Sequence, residues 1–291
     1  MSSVLSNSAI ISALVSAIVT LLIFLLKAII SYFRERSFHE YKIRIENEYE
    51  QRKKIKEAIS KYKTPLLDSA ESLNHRLWNF SKNCNEAWHI PHGDNNINNM
   101  YYLQSFCFRL LSFLAWCKIF ERELIYLDST LSVKDDLDFV KYIRTMQNIF
   151  SDASIFNGLD YDPTYAVDHF FKDHLSSMVD FMINDKSVIS FSEFMKCDTE
   201  KYIAISNYIS SITKERHCNK WYLLNNFHFV LMAFLSRYGY DFQITDRAKL
   251  IKFKMSQPEN ILSGNLNEII IRGKLHKCKK MKEAIEVLLS D

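Results

Sequence analysis

Asp168, His169, Asp173 and His174 fall within seven residues, and on a helix His169 and Asp173 would stand four apart, the spacing at which two side chains can share a metal. A di-metal helical bundle needs matching Glu-x-x-His sets on other helices, and the chain has none, so these four are expected on an exposed helix face. His89 and His92 lie in an Asn-rich stretch with no third ligand nearby and are expected in solvent rather than on a metal. The six cysteines, Cys84, Cys107, Cys117, Cys197, Cys218 and Cys278, have irregular spacings and no C-x-x-C, which predicts reduced, mostly buried thiols. Glycine-rich phosphate loops, H-E-x-x-H and G-x-S-x-G are missing, and no nucleophile, base and orienter share a recognisable setting. The expectation is therefore no catalytic residue, no metal and no cofactor.

Two arginines are placed differently. Arg76 and Arg109 interrupt the apolar seams Leu73-Leu77 and Phe106-Leu110-Phe113, where a guanidinium must find partners because unpaired burial of a charge is expensive. Carbonyls or nearby carboxylates are expected to meet them, with Asp68, Glu71, Glu121 and Glu123 the local candidates. The other reading lays each arginine along the core with its head in water. A basic run of six charges, from Arg272 to Lys282, could touch phosphate or lipid headgroups, but a solvated terminal helix accounts for it. The near balance of 37 Lys+Arg against 34 Asp+Glu argues against nucleic acid as a partner.

The elements that must position these residues read as helices throughout. With 5 Gly and 4 Pro among 291 residues, a fold of many hairpins is excluded, and an all-α class follows. Ala9–Leu26 is an eighteen-residue stretch without a charge, long enough with its apolar continuation to span a bilayer. Residues 1–8 carry no Lys or Arg, whereas Arg34, Arg36, Lys42 and Arg44 follow the span, so an uncleaved, N-out, single-pass anchor in the inner or plasma membrane is expected. Ala9, Ala13 and Ala17, with Ser12, Ser16 and Thr20, form small-residue rows that let another helix approach closely. Beyond the membrane, positions 38, 41, 45, 48, 52, 55, 59, 62 and 66 alternate three and four apart, a heptad seam for a homo-oligomeric coiled coil or for docking on the chain's own domain.

Thr64-Pro65 reads as the start of a new helix, and 81–99 reads as a loop. Leu103, Phe106, Leu110, Phe113, Cys117, Phe120, Leu124 and Leu127 mark a core helix, too interrupted by Arg109 and Lys118 to be a second span. Ser132 with Asp135 predicts a capped helix through Phe150, Asp162-Pro163 one through about Ile183, and Asp198 the cap of another. The run from Trp221 to Tyr238 ends at Gly239, Phe242 to Met255 reads as either strand or helix, and an amphipathic helix closes the chain. The expected organisation is a transmembrane anchor (1–33), a helical stalk (34–63) and a cytoplasmic helical domain (64–291).

Three segments, Lys61-Tyr-Lys-Thr-Pro-Leu-Leu-Asp-Ser-Ala-Glu-Ser-Leu-Asn-His-Arg-Leu-Trp-Asn79, Arg109-Leu-Leu-Ser-Phe-Leu-Ala-Trp116 and Glu121-Arg-Glu-Leu-Ile-Tyr-Leu-Asp128, span about a quarter of the chain. Together they resemble a recurrent pattern in uncharacterised membrane-anchored helical proteins. The resemblance implies that the helices carrying Arg76 and Arg109 form one module, and it attaches no activity to it. The candidate binding residues are Arg76, Arg109, Trp116 and Glu121. The expected function is a membrane-tethered, non-enzymatic scaffold or sensor that binds a cytoplasmic protein. The alternatives are a membrane effector of a bacterial defence or toxin-like system that disrupts bilayers after oligomerising, and an unrecognised hydrolase.

Overall fold

The computed structural model describes residues 2–91, 100–125, 133–215, 217–257 and 260–290, residues 2–7 by their backbone alone. The fold is all-α. The elements run α1 (Ser2–Asn83), α2 (Tyr101–Leu124), α3 (Lys134–Ile149), α4 (Lys172–Ser177), a hairpin of β1 (Ile183–Asn184) and β2 (Ser187–Val188), α5 (Phe191–Phe194), α6 (Ile203–Ser210), α7 (Asn219–Tyr238), α8 (Arg247–Met255), α9 (Ser263–Arg272) and α10 (Lys279–Leu289), joined by short 3-10 turns. The hairpin pairs Ile183 with Val188 and Asn184 with Ser187.

Contacts divide the chain into two units, Met1–Lys53 and Lys54–Asp291. In the first, no described side chain is buried. The helix carries its own i,i+4 pairs, Arg36–Glu40 at 3.2 Å and Lys42–Glu46 at 3.8 Å, and the Thr20 hydroxyl donates to the Ser16 carbonyl at 2.8 Å. Among the described residues two helical stretches are, by length and composition, apolar enough to cross a membrane, Ser8–Glu86 and Tyr101–Leu124. None of the apolar window of the first is buried, whereas 78% of the second's is. The Tyr101–Leu124 helix is thus a core helix, as its three-four periodicity predicts.

The second unit gathers around helices whose apolar positions recur every three or four residues. From α1 come Ile55, Ile59, Tyr62, Leu66, Ala70, Leu73, Leu77 and Phe80, and from α2 Leu103, Phe106, Leu110, Phe113, Cys117, Phe120 and Leu124, all buried. α7 is buried on every side from Trp221 to Leu235, so its aromatics meet partners all round: Phe227 packs on Phe113 and Phe150, and Phe234 on Phe139 and Tyr142. α10 closes the unit with Met281, Ala284, Ile285, Val287 and Leu288 inward.

Several local expectations change. α1 continues through Pro65 instead of restarting there, because Leu66, Leu67 and Ala70 are held in the core on the same helical register as Ile59 and Tyr62. Asp162 caps only a 3-10 turn, Pro163–Tyr165, accepting from the Thr164 N–H at 2.8 Å, and the six-residue α4 replaces the long helix expected to Ile183. α3 has Val133 as N-cap; the Ser132 capping box lies outside the described residues, as do Leu127 and His92. Asp198 does cap, through the Glu200 N–H, a 3-10 turn leading into α6. The open 242–255 segment is helical from Arg247, because Asp246 accepts from the Lys249 N–H at 2.7 Å and Phe253 is buried beside Trp78.

Candidate functional site

Of the residues that looked metal-like, Asp173 and His174 are exposed on α4 as expected, whereas His89 and His169 are built into the core. His89 is buried, not solvated: its Nε2 meets the Ile212 carbonyl at 2.8 Å and its ring stands edge-on to Phe80. His169 lies on no exposed helix face but is also buried, with Nδ1 at 2.6 Å from the Tyr161 hydroxyl. Burial lowers the pKa of both imidazoles. Among the described residues no His, Cys, Asp or Glu group is placed to hold a metal. Cys84, Cys107, Cys117 and Cys278 are buried thiols, while Cys197 and Cys218 are partly exposed. Among the described residues three of the six charges in the basic terminal stretch are paired, Arg272 on Asp152 at 2.8 Å, Lys280 on Glu283 at 3.2 Å and Lys282 on Glu286 at 3.8 Å.

Where α1 meets α2, the two arginines face each other's helix. Arg76 is 7% exposed, donates from Nη2 to the Ser105 hydroxyl at 2.8 Å, and lies over the Tyr102 ring at 4.2 Å from its centroid. Its buried Nε has no hydrogen-bond partner among the described residues. Arg109, half-buried, donates from Nη1 to the Ser72 carbonyl at 2.9 Å. Burial, and secondarily the neighbouring Arg76 charge, lower the Arg109 pKa.

Among the described residues neither arginine makes an ion pair. Of the expected carboxylates, Glu71 is engaged by His75 at 3.5 Å and by the Gln243 amide at 2.6 Å, and Glu123 by the Tyr62 hydroxyl at 3.1 Å and Lys186 at 3.7 Å. Asp68 borders a neighbouring groove, and Glu121 sits elsewhere. The carbonyl partner is correct for Arg109; for Arg76 a hydroxyl and an aromatic face take the carboxylate's place. The helix crossing decides this, since it brings Ser105 and Tyr102, one and two turns before Arg109, over the Arg76 side chain.

Arg76 and Arg109 line a cleft of about 320 Å³ with His75, Asn79, Trp88 and Tyr102. Trp88 is 48% exposed and meets Tyr102 edge-on at 5.7 Å, and the Tyr102 hydroxyl donates to Asn79 Oδ1 at 2.8 Å. Arg109 also borders a second groove, about 330 Å³, whose walls include Asp68, Ser72, Phe108, Trp116 and Ile189. Trp116 packs near Tyr62. Glu121 is apart from all three, beside a small cavity of about 70 Å³ with Lys118, Gln147 and Lys172, and burial raises its pKa. Two further features carry no signal in the α2 periodicity: Trp88, and a wider cleft of about 520 Å³ between Trp78, Phe242, Gln243 and Phe253. His75, Trp78 and Asn79 lie within Lys61–Asn79, one of the segments that carry the resemblance, but no spacing there marks them individually. No family model, no curated protein and no solved structure matches the chain.

Proposed function

We propose that the protein is a membrane-tethered, non-enzymatic scaffold or sensor that binds a partner protein through the face formed by α1 and α2 in its second unit. The observation that carries this reading is the wholly exposed, uncharged run Ala9–Leu26, with Phe24 71% accessible. In water such a surface is strongly disfavoured, at roughly 25 cal/mol for each Å² of apolar area. In a bilayer it is the expected surface of a spanning helix, and the Thr20 hydroxyl is already satisfied by its own helix. Arg34, Arg36, Lys42 and Arg44, against no basic residue in 1–8, favour the carboxyl side in the cytoplasm.

The same helix supports self-association. The rows Ala9-Ala13-Ala17 and Ser12-Ser16-Thr20 are exposed, as are Phe38, Tyr41 and Ile45, so two parallel copies would bury both sets. The second groove, with Trp116 and Phe108 beside Arg109, has the aromatic and arginine character of a protein-binding hot spot.

The test uses the full chain in its own membranes. Wild-type protein stays with alkaline-washed membranes, whereas Leu14→Lys with Ile18→Lys is released. Affinity recovery from detergent-solubilised membranes yields a defined companion protein with the wild type and loses it with Trp116→Ala. Release of the wild type by alkali removes the tether, and unchanged companion recovery by Trp116→Ala removes the α1–α2 face.

A further inference from the structure

Among the described residues, the cleft bounded by Arg76 and Arg109 holds two guanidinium groups and no carboxylate paired with either. One guanidinium is nine-tenths buried and the other half-buried, and among the described residues no carboxylate lies within ion-pairing distance of either. Glu71, five residues before Arg76 on α1, is occupied by His75 and Gln243. Arg76 is a buried cation held by neutral groups, the Ser105 hydroxyl and the ring and hydroxyl of Tyr102, and among the described residues its Nε–H has no partner. An anion in the cleft would supply what is missing.

Chemistry narrows that anion. A guanidinium fork matches the oxygens of phosphate and carboxylate alike, but two cations are balanced by a dianion, and a phosphate monoester carries about −1.5 to −2 at pH 7 where a carboxylate carries one charge. The indole of Trp88, half-exposed and set edge-on to Tyr102, adds an apolar wall for an organic group. We propose that this cleft binds a small phosphate monoester, its phosphoryl oxygens between Arg76 and Arg109 and its organic group against Trp88. The assignment rests on reading the α1–α2 face as the binding face and is independent of membrane insertion.

Calorimetric titration of the full chain in detergent micelles with phenyl phosphate, inorganic phosphate and benzoate tests it. Phenyl phosphate should bind at least tenfold more tightly than benzoate, which has the ring and a single charge. It should also exceed inorganic phosphate several-fold. Trp88→Ala should erase the second advantage and leave inorganic phosphate unchanged. Arg109→Gln, which keeps a polar amide and removes the charge, should weaken phenyl phosphate at least tenfold while the helical circular dichroism stays intact. Equal affinity for benzoate and phenyl phosphate, no binding of phenyl phosphate, or its undiminished binding by Arg109→Gln would each overturn the assignment. Companion recovery that depends on Trp116, with no phosphate binding, overturns the ligand alone and leaves the binding face standing.

Discussion

At the scale of single residues, the histidines show how a group that suggests chemistry in sequence becomes a structural acceptor or donor once packed. His228 is fully enclosed, its Nε2 at 2.8 Å from Asn74 Oδ1, a bond that needs the proton on Nε2 and leaves the ring neutral. Burial pushes its pKa down to about 3, far below the ordinary value near 6.5. The unfolded chain therefore takes up a proton below about pH 6.5 that the folded chain refuses until about pH 3. This stability is complete above the unfolded pKa and is lost as pH falls, at up to about 1.4 kcal/mol per pH unit for each such imidazole. His89 and His169, lowered by burial as well, act in the same direction. The urea midpoint of the full chain in detergent should hold steady from pH 8 to pH 7 and fall below about pH 6. His228→Gln keeps a donor for Asn74 and removes one titration, so its acid-side decline should be shallower by about one proton; an identical slope would mean that His228 does not govern it.

Two glycines make a second residue-scale comparison. A Cβ on Gly239 would run into the Leu235 carbonyl and the Gln243 side chain, while one on Gly264, inside α9, would meet open space. Gly239→Ala should lower stability by about 1 to 3 kcal/mol, and Gly264→Ala should raise it by about 0.5 to 1 kcal/mol, both read from thermal unfolding.

At the scale of elements, the heptad seam divides. Ile55, Ile59, Tyr62 and Leu66 are spent on the core of the second unit, whereas Phe38, Tyr41 and Ile45 remain exposed, and Glu48 meets Arg52 along the helix at 4.0 Å. Docking on the second unit uses one half of the pattern, and the other half stays exposed and is the part that the proposed pairing would use. Ile55→Asp should destabilise the second unit by about 4 kcal/mol, since it removes a core side chain and buries a charge. Ile45→Asp should leave unfolding unchanged and lower the cross-linked dimer yield in membranes; equal effects of the two on unfolding would contradict the division. The pattern itself was legible, because a three-four repeat whose seven positions from Leu103 to Leu124 fall in α2 has one low-energy use, burial. What it could not reveal is which partner covers a seam, since an apolar stripe reads alike against its own domain and against a second copy. The 163–183 region failed for a different reason. Its Asp and Pro are good starters of any turn, and only the burial of Phe170, Leu175, Met178 and Met182 in separate short pieces determines that none grows into a long helix. The arginines announced themselves as charges in apolar rows, but Ser105, Tyr102 and the Ser72 carbonyl are partners set by a helix crossing, and no spacing encodes that.

At the scale of the whole molecule, the proposed anchor would set the side of the membrane on which the second unit stands, and the thiols define how to test it. Cys84, Cys107, Cys117 and Cys278 are buried, and burial raises the pKa of Cys84 to about 11 and that of Cys117 well above the ordinary thiol range. Such thiols stay silent toward a maleimide from either side, so their lack of labelling carries no topological meaning. Cys197 and Cys218 are partly exposed and report weakly. Met255, 80% exposed at the end of α8, is a position where Met255→Cys adds a reporter without disturbing the core. If the basic residues after the span hold it N-out, a membrane-impermeant maleimide should label Ser2→Cys on intact cells and leave Met255→Cys unlabelled. Permeabilisation should then expose Met255→Cys at once, Cys197 and Cys218 more slowly, and the four buried thiols only in denaturant. Labelling of Met255→Cys on intact cells would reverse the orientation and place the α1–α2 face outside, where the proposed cytoplasmic partner could not reach it.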